Sequence, residues 1–119
     1  MNDEIEMTPL IFAAALAAVG ASDLEAAFEN TIQSTYPSGR SAKLWLARDG
    51  SFTARGAKGA ASSGVWSIKA GELCLKQRKP FPAPVTYCSP IPADAKIGSE
   101  WAARSLKGEP LKNRIVAGR

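Results

Sequence analysis

The chain has 119 residues, room for one domain with an ordinary core, and its apolar share of 45% lies near the globular average. It contains no histidine, which excludes His-based triads and typical zinc sites and removes the commonest general base near neutral pH. All 15 Lys and Arg lie from Arg40 onward, while Asp3, Glu4 and Glu6 precede the first apolar run, so the body of the chain is basic and leans toward anionic partners.

In chain order, the first element is the apolar run Leu10 to Gly20, LIFAAALAAVG. It is short for a bilayer span and has the length of a signal-peptide core. Small residues at Val19-Gly20-Ala21 place cleavage after Ala21, which divides the chain into 1–21, a signal peptide or N-terminal helix, and 22–119, a single β-rich domain. The acidic start MNDEIE departs from a signal peptide's positive front, and Met7 offers an alternative start. Uncleaved, residues 8–29 form one amphipathic or buried helix that holds the domain to a membrane or to a larger complex. Ser22-Asp23-Leu24-Glu25 has the form of a capping box, which predicts a short helix to Phe28 or Glu29 with Leu24 and Phe28 on one face.

From Thr31 the helical period gives way to turn signals every eight to twelve residues, the pattern of an antiparallel meander. Thr31 to Tyr36 reads as a leading strand. Ala42 to Arg48 and Ser51 to Arg55 flank Asp49-Gly50, which predicts a type I′ hairpin turn; Val65 to Lys69 and Glu72 to Gln77 flank a second such turn at Ala70-Gly71, where Ala is the poorer occupant. Glu100 to Lys107 and Leu111 to Ala117 read as a final pair. Alternation puts Leu44 and Leu46 on one face with Trp45 on the other, and Trp66 beside Ile68. All three tryptophans, Trp45, Trp66 and Trp101, read as core or rim packing.

Two cysteines fit one disulfide in an oxidising compartment better than a metal site. With Cys74 opposite Cys88, Leu75 faces Tyr87, Lys76 faces Thr86 and Gln77 faces Val85, leaving a Pro-rich loop from Lys79 to Pro84. The expected fold is therefore mainly β: a small antiparallel meander of six to seven strands forming a barrel or a curved sheet, with a short N-terminal helix.

The segments DLEAAFENTIQSTYP, KLWLARDGSFTARG, SGVWSIKAGELCLKQ and PFPAPVTYCSPIP carry a resemblance. Over residues 22–119 the chain resembles small exported alphaproteobacterial proteins of the domain-of-unknown-function kind. Its layout is also distantly similar to lipocalin-like barrels, including small periplasmic protease inhibitors. The resemblance implies export, and it transfers no catalytic or binding motif.

Two candidate sites stand out. The segment Gly56 to Gly64, flanked by Arg55 and containing Lys58, could present backbone amides and cations to an anion, although it also reads as a flexible hairpin connection. Lys76, Arg78 and Lys79 cluster beside Phe81, with Arg40, Lys43, Arg48 and Arg55 placed to join them if the two hairpins are neighbours; the same residues also read as a solvated rim. No spacing singles out a nucleophile or an acid/base pair. The composite expectation is a non-enzymatic periplasmic or secreted binding module without cofactor or metal, whose partner is an anionic ligand or an envelope protein rather than nucleic acid. A membrane- or complex-held interaction subunit and an enzyme inhibitor are the alternatives.

Overall fold

Turn residues cut the body of the chain into eight short strands, each with one inward and one outward face. The computed structural model describes residues 24–119; the apolar run, the cleavage point and Ser22 lie outside the described residues. One helical turn, α1 (Glu25–Phe28), leads into β1 (Thr31–Thr35), β2 (Ser41–Leu46), β3 (Ser51–Arg55), β4 (Ala61–Lys69), β5 (Glu72–Lys79), β6 (Tyr87–Pro90), β7 (Glu100–Arg104) and β8 (Pro110–Val116). They form one antiparallel sheet in the order β6-β5-β4-β3-β2-β1-β8-β7. The sheet curls until its edges meet: the Tyr87 hydroxyl on β6 donates to the Arg104 carbonyl on β7 at 2.5 Å. Among the described residues no backbone ladder joins those two edges, so the barrel is nearly closed, with one seam.

Eight strands replace the six to seven expected. The segment around Cys88 that the sequence sets opposite Cys74 forms a stave of its own, β6, four residues long. Cys74 and Cys88 are cross-strand partners, as the sequence predicts, and are joined in a disulfide, with Leu75 opposite Tyr87. The predicted pairing of Lys76 with Thr86 and of Gln77 with Val85 does not form. Instead the 80–86 loop folds back on β5: Lys76 Nζ donates to the Ala83 carbonyl at 3.1 Å, Gln77 Nε2 to the Phe81 carbonyl at 3.0 Å, and the Ala83 amide to the Gln77 carbonyl at 3.1 Å.

Strand β4 begins at Ala61 rather than Val65, which shortens the expected loop of residues 56–64 to 56–60. The register of β4 on β5 slips between Ser63 and Gly64, a bulge of the kind that bends barrel staves. Gly64 is required there because a Cβ would stand 2.0 Å from the Lys76 carbonyl oxygen.

The Ala70-Gly71 turn has positive φ at both positions, 51° and 78°, as type I′ demands. At Asp49-Gly50 only the glycine does, at 94°, so the predicted type I′ turn is absent. The Asp49 carboxylate instead accepts from the Ser51 amide at 2.9 Å and the Ser51 hydroxyl at 2.6 Å. Those bonds stabilise the anion and hold its pKa below the ordinary carboxylate value.

The helix closes one end of the barrel. Leu24, Ala27 and Phe28 pack on Ile32, Leu46, Phe52, Leu73, Ile91 and Ile115, and the Phe28 ring lies 5.6 Å from Trp66. The N-cap position falls on Leu24, which makes no side-chain bond to the helix; the expected capping box rests on Ser22, outside the described residues. The Glu25 carboxylate turns instead to Arg48, accepting two hydrogen bonds at 2.7 and 2.8 Å. Arg48 also lies over the Phe28 ring at 4.9 Å. At the other end of the chain, Arg119 donates to the carbonyls of Ala27, Phe28 and Leu46, tying the C-terminus across the helix.

Candidate ligand-binding cavity

Because strands alternate in direction, the loops after β1, β3, β5 and β7 gather at the end opposite α1. There the inward faces do not close on one another. Leu46, Ile115 and Phe52 are buried near the helix, whereas Leu44, Leu75, Tyr36 and Tyr87 are only half-buried. The result is a cup of about 940 Å³, within the range of small-molecule sites. Its walls are mainly apolar, from Ile32, Leu44, Leu73, Leu75, Ile91 and Leu111.

Three loop cations stand at the rim, Arg40 in the β1–β2 loop, Lys58 in the β3–β4 loop and Lys107 in the β7–β8 loop, and Lys43 of β2 also borders the cup. Among the described residues none has a carboxylate at ion-pair distance, and Glu109 is the single acid lining the cup. Cations in a low-dielectric mouth attract anions more strongly than the same charges on an open surface. Tyr36 also lines the cup; burial, then the Glu109 carboxylate, then Tyr87 raise its pKa above the ordinary phenol value, so it remains a neutral hydrogen-bonding group near neutral pH.

The residues singled out in the sequence fall into two places. Lys58 lines the cup. Arg55 lies on the outer face and donates to the Gly59 carbonyl at 2.8 Å, which makes it a clamp on its own hairpin. Lys76, Arg78, Lys79 and Phe81 do not line the cup: the Lys76 ammonium is engaged by the 80–86 loop, Arg78 and Lys79 are exposed, and Phe81 is 63% exposed. Arg48 does not join them: it is ion-paired at the helix end. Lys43 faces outward beside its cross-strand partners Gln33 and Arg55. Sequence reasoning passed over Tyr36, Tyr87, Ser89, Lys107 and Glu109. The parity of the loops was the available signal, since those following odd-numbered strands must share one end.

Trp66 belongs to the core, its Nε1 donating to the Ala47 carbonyl at 2.7 Å, and Trp45 packs outside, bonded to Thr31 Oγ1 at 2.9 Å. Trp101 differs, because it lines the cup. No group of three or more His, Cys, Asp or Glu side chains among the described residues could hold a metal. Likewise, no helix among them is long and apolar enough to cross a membrane. The disulfide accords with an extracytoplasmic protein.

No protein-family model matches the chain, and comparison with curated proteins and with solved structures found no match either.

Proposed function

We propose that the protein is a non-enzymatic binding module of the periplasm or the secreted space, which takes an anionic amphiphile into the open end of its barrel. The observation that carries this reading is the order of surfaces in the cup: apolar walls below and, at the rim, the cations Arg40, Lys58 and Lys107, which have no carboxylate at ion-pair distance among the described residues. A ligand matched to that order buries an apolar body and leaves its anionic group at the mouth. Residence outside the cytoplasm is supported by the Cys74–Cys88 bond.

The test is titration with dodecanoate, followed by calorimetry and by tryptophan fluorescence, beside the neutral alcohol of the same chain length. The wild-type protein should bind dodecanoate more tightly than the alcohol, and added salt should narrow the gap. Replacing Arg40, Lys58 and Lys107 together by Gln should remove the preference for the anion while leaving alcohol binding unchanged. No binding of either compound by the wild type refutes the proposal.

A second reading, contact with an acidic envelope protein or inhibition of an envelope enzyme, draws on a separate observation. Phe81 and Val85 are 63% and 53% exposed on the loop beside Arg78 and Lys79. Phe81→Asp would abolish such a contact and leave dodecanoate binding intact.

A further inference from the structure

Midway down the cup, one wall is polar. Ser34 on β1, Asn113 on β8 and Trp101 on β7 share one level of the register, since Ser34 pairs with Asn113 and Asn113 with Trp101. Ser89 faces the same cavity from β6, across the seam. These four residues therefore belong to consecutive staves, and the staves that flank them, β2 and β5, turn the apolar Ala42, Leu44 and Leu75 to the cup. Ser34 and Asn113 satisfy one another, the Ser34 hydroxyl donating to Asn113 Oδ1 at 2.6 Å. Ser89 Oγ and Trp101 Nε1 do not: both are buried and neither has a partner among the described residues. Ser89 is only 8% exposed, so solvent outside the barrel does not serve it.

Native proteins seldom leave two buried donors unmatched, and such groups mark places where a partner is expected. Both sit on the two strands that flank the seam, the one joint of the barrel without a ladder. On these grounds we infer that the seam wall is a recognition site for a neutral carbonyl carried on the apolar body of the ligand, with Trp101 N–H and Ser89 O–H as its donors. The inference rests on the cup reading and names the ligand's second feature. The acceptor is neutral because the belt holds no cation, and a buried unpaired carboxylate is strongly disfavoured. It is also distant from the anionic group: Ser105, at the rim, is four residues beyond Trp101 along β7, about 13 Å at ~3.3 Å per residue. The ligand class is thus an amphiphile with its charge at one end and a ketone, ester or amide carbonyl well down its chain. Neither donor has exposed surface while the seam is shut. Reaching them requires β6 and β7 to part slightly, a movement that breaks no ladder bond and is opposed by the Tyr87–Arg104 hydrogen bond.

The probes are a long-chain fatty acid bearing a mid-chain ketone and the unsubstituted acid of the same length, titrated into the full-length disulfide-bonded protein. The wild type should prefer the keto acid by about tenfold, the worth of a buried hydrogen bond restored. Trp101→Phe and Ser89→Ala should each reduce that preference, read as the ratio of the two affinities measured in the same variant. Equal affinity of the wild type for the two acids overturns the carbonyl site and leaves the cup reading standing. Binding of neither acid overturns both. Should Trp101→Phe misfold, Ser89→Ala carries the test, since a preference it leaves intact also counts against the site.

Discussion

Substituting Gly64 tests the bulge on which the curvature of the barrel depends. An alanine Cβ at this position would lie 2.0 Å from the Lys76 carbonyl oxygen and 2.9 Å from both Gln77 Cα and the Lys76 carbonyl carbon. All three are backbone atoms, so no side chain can swing aside. Strand β5 would have to retreat by about one and a half ångströms to reach ordinary contact, and it is held on its other side by the Cys74–Cys88 bond and the β6 ladder. Overpacking of this kind costs about 1–3 kcal/mol where side chains absorb it; with only backbone to move, roughly 3 kcal/mol or more is expected for Gly64→Ala. In a domain of this size that lowers Tm by about 15 °C. Gly56→Ala is the control: its Cβ would meet only the Ala60 carbonyl oxygen at 3.7 Å, and its φ lies outside the left-handed region, so stability should hold or rise slightly. Urea unfolding of the two variants beside wild type measures the difference. A loss below about 1 kcal/mol for Gly64→Ala, or equal losses for both variants, would refute the steric account of this glycine.

Three further outcomes follow from local chemistry. Reducing the disulfide should destabilise the fold by about 3 kcal/mol on the chain-entropy estimate for a loop of about 15 residues, read as a fall in the urea midpoint on adding reductant; an unchanged midpoint counts against it. Ala70→Asn should stabilise by about 0.5–1 kcal/mol, because Ala70 holds a φ of 51° that Asn tolerates far better; a lower Tm would contradict the turn geometry. Tyr36 has its pKa raised in the folded state, by burial first and then by Glu109 and Tyr87. The folded protein thus retains a proton that the unfolded chain releases, and stability falls as pH rises through and above the ordinary phenol pKa. Alkaline spectrophotometric titration of wild type against Tyr36→Phe should show the missing phenol to be one that ionises late; loss of an ordinary phenol step would refute this.

Sheet register was legible in the sequence wherever two independent signals met. Cys74 and Cys88 fixed the β5–β6 pairing, and Ala70-Gly71 fixed the β4–β5 hairpin. Register was lost where one signal stood alone. The Ser-Gly tract before Val65 has the composition of a flexible loop, yet Gly64 is present because a neighbouring backbone passes too close for a Cβ, and composition does not distinguish those two uses of glycine. Alternation correctly turned Leu44 and Leu46 inward, but it cannot separate a filled core from a cup. That depends on which end carries a plug, hence on α1 and on Arg119, far away in the chain. Lys76, Arg78 and Lys79 drew notice because they are adjacent in sequence. Lys58 was assigned to a separate loop, Arg40 to the Lys76 cluster, and Lys107 was passed over, because only the up-and-down topology brings these three to one rim.

The two ends of the barrel use their charges differently, and this contrast is the strongest reason to look for a ligand at the mouth. At the plugged end, the arginines are engaged: Arg48 with Glu25 and with the Phe28 ring, Arg119 with three carbonyls. These bonds fasten a helical turn too short to be stable by itself. At the open end, by contrast, Arg40, Lys58 and Lys107 surround a half-buried apolar wall with no carboxylate partner among the described residues. Cations needed only for solubility could stand elsewhere on the surface, where the exposed Lys69 and Arg78 already do so. On the proposed function, their convergence on the opening of an apolar cavity is accounted for by one molecule that is anionic at its end and apolar along its length.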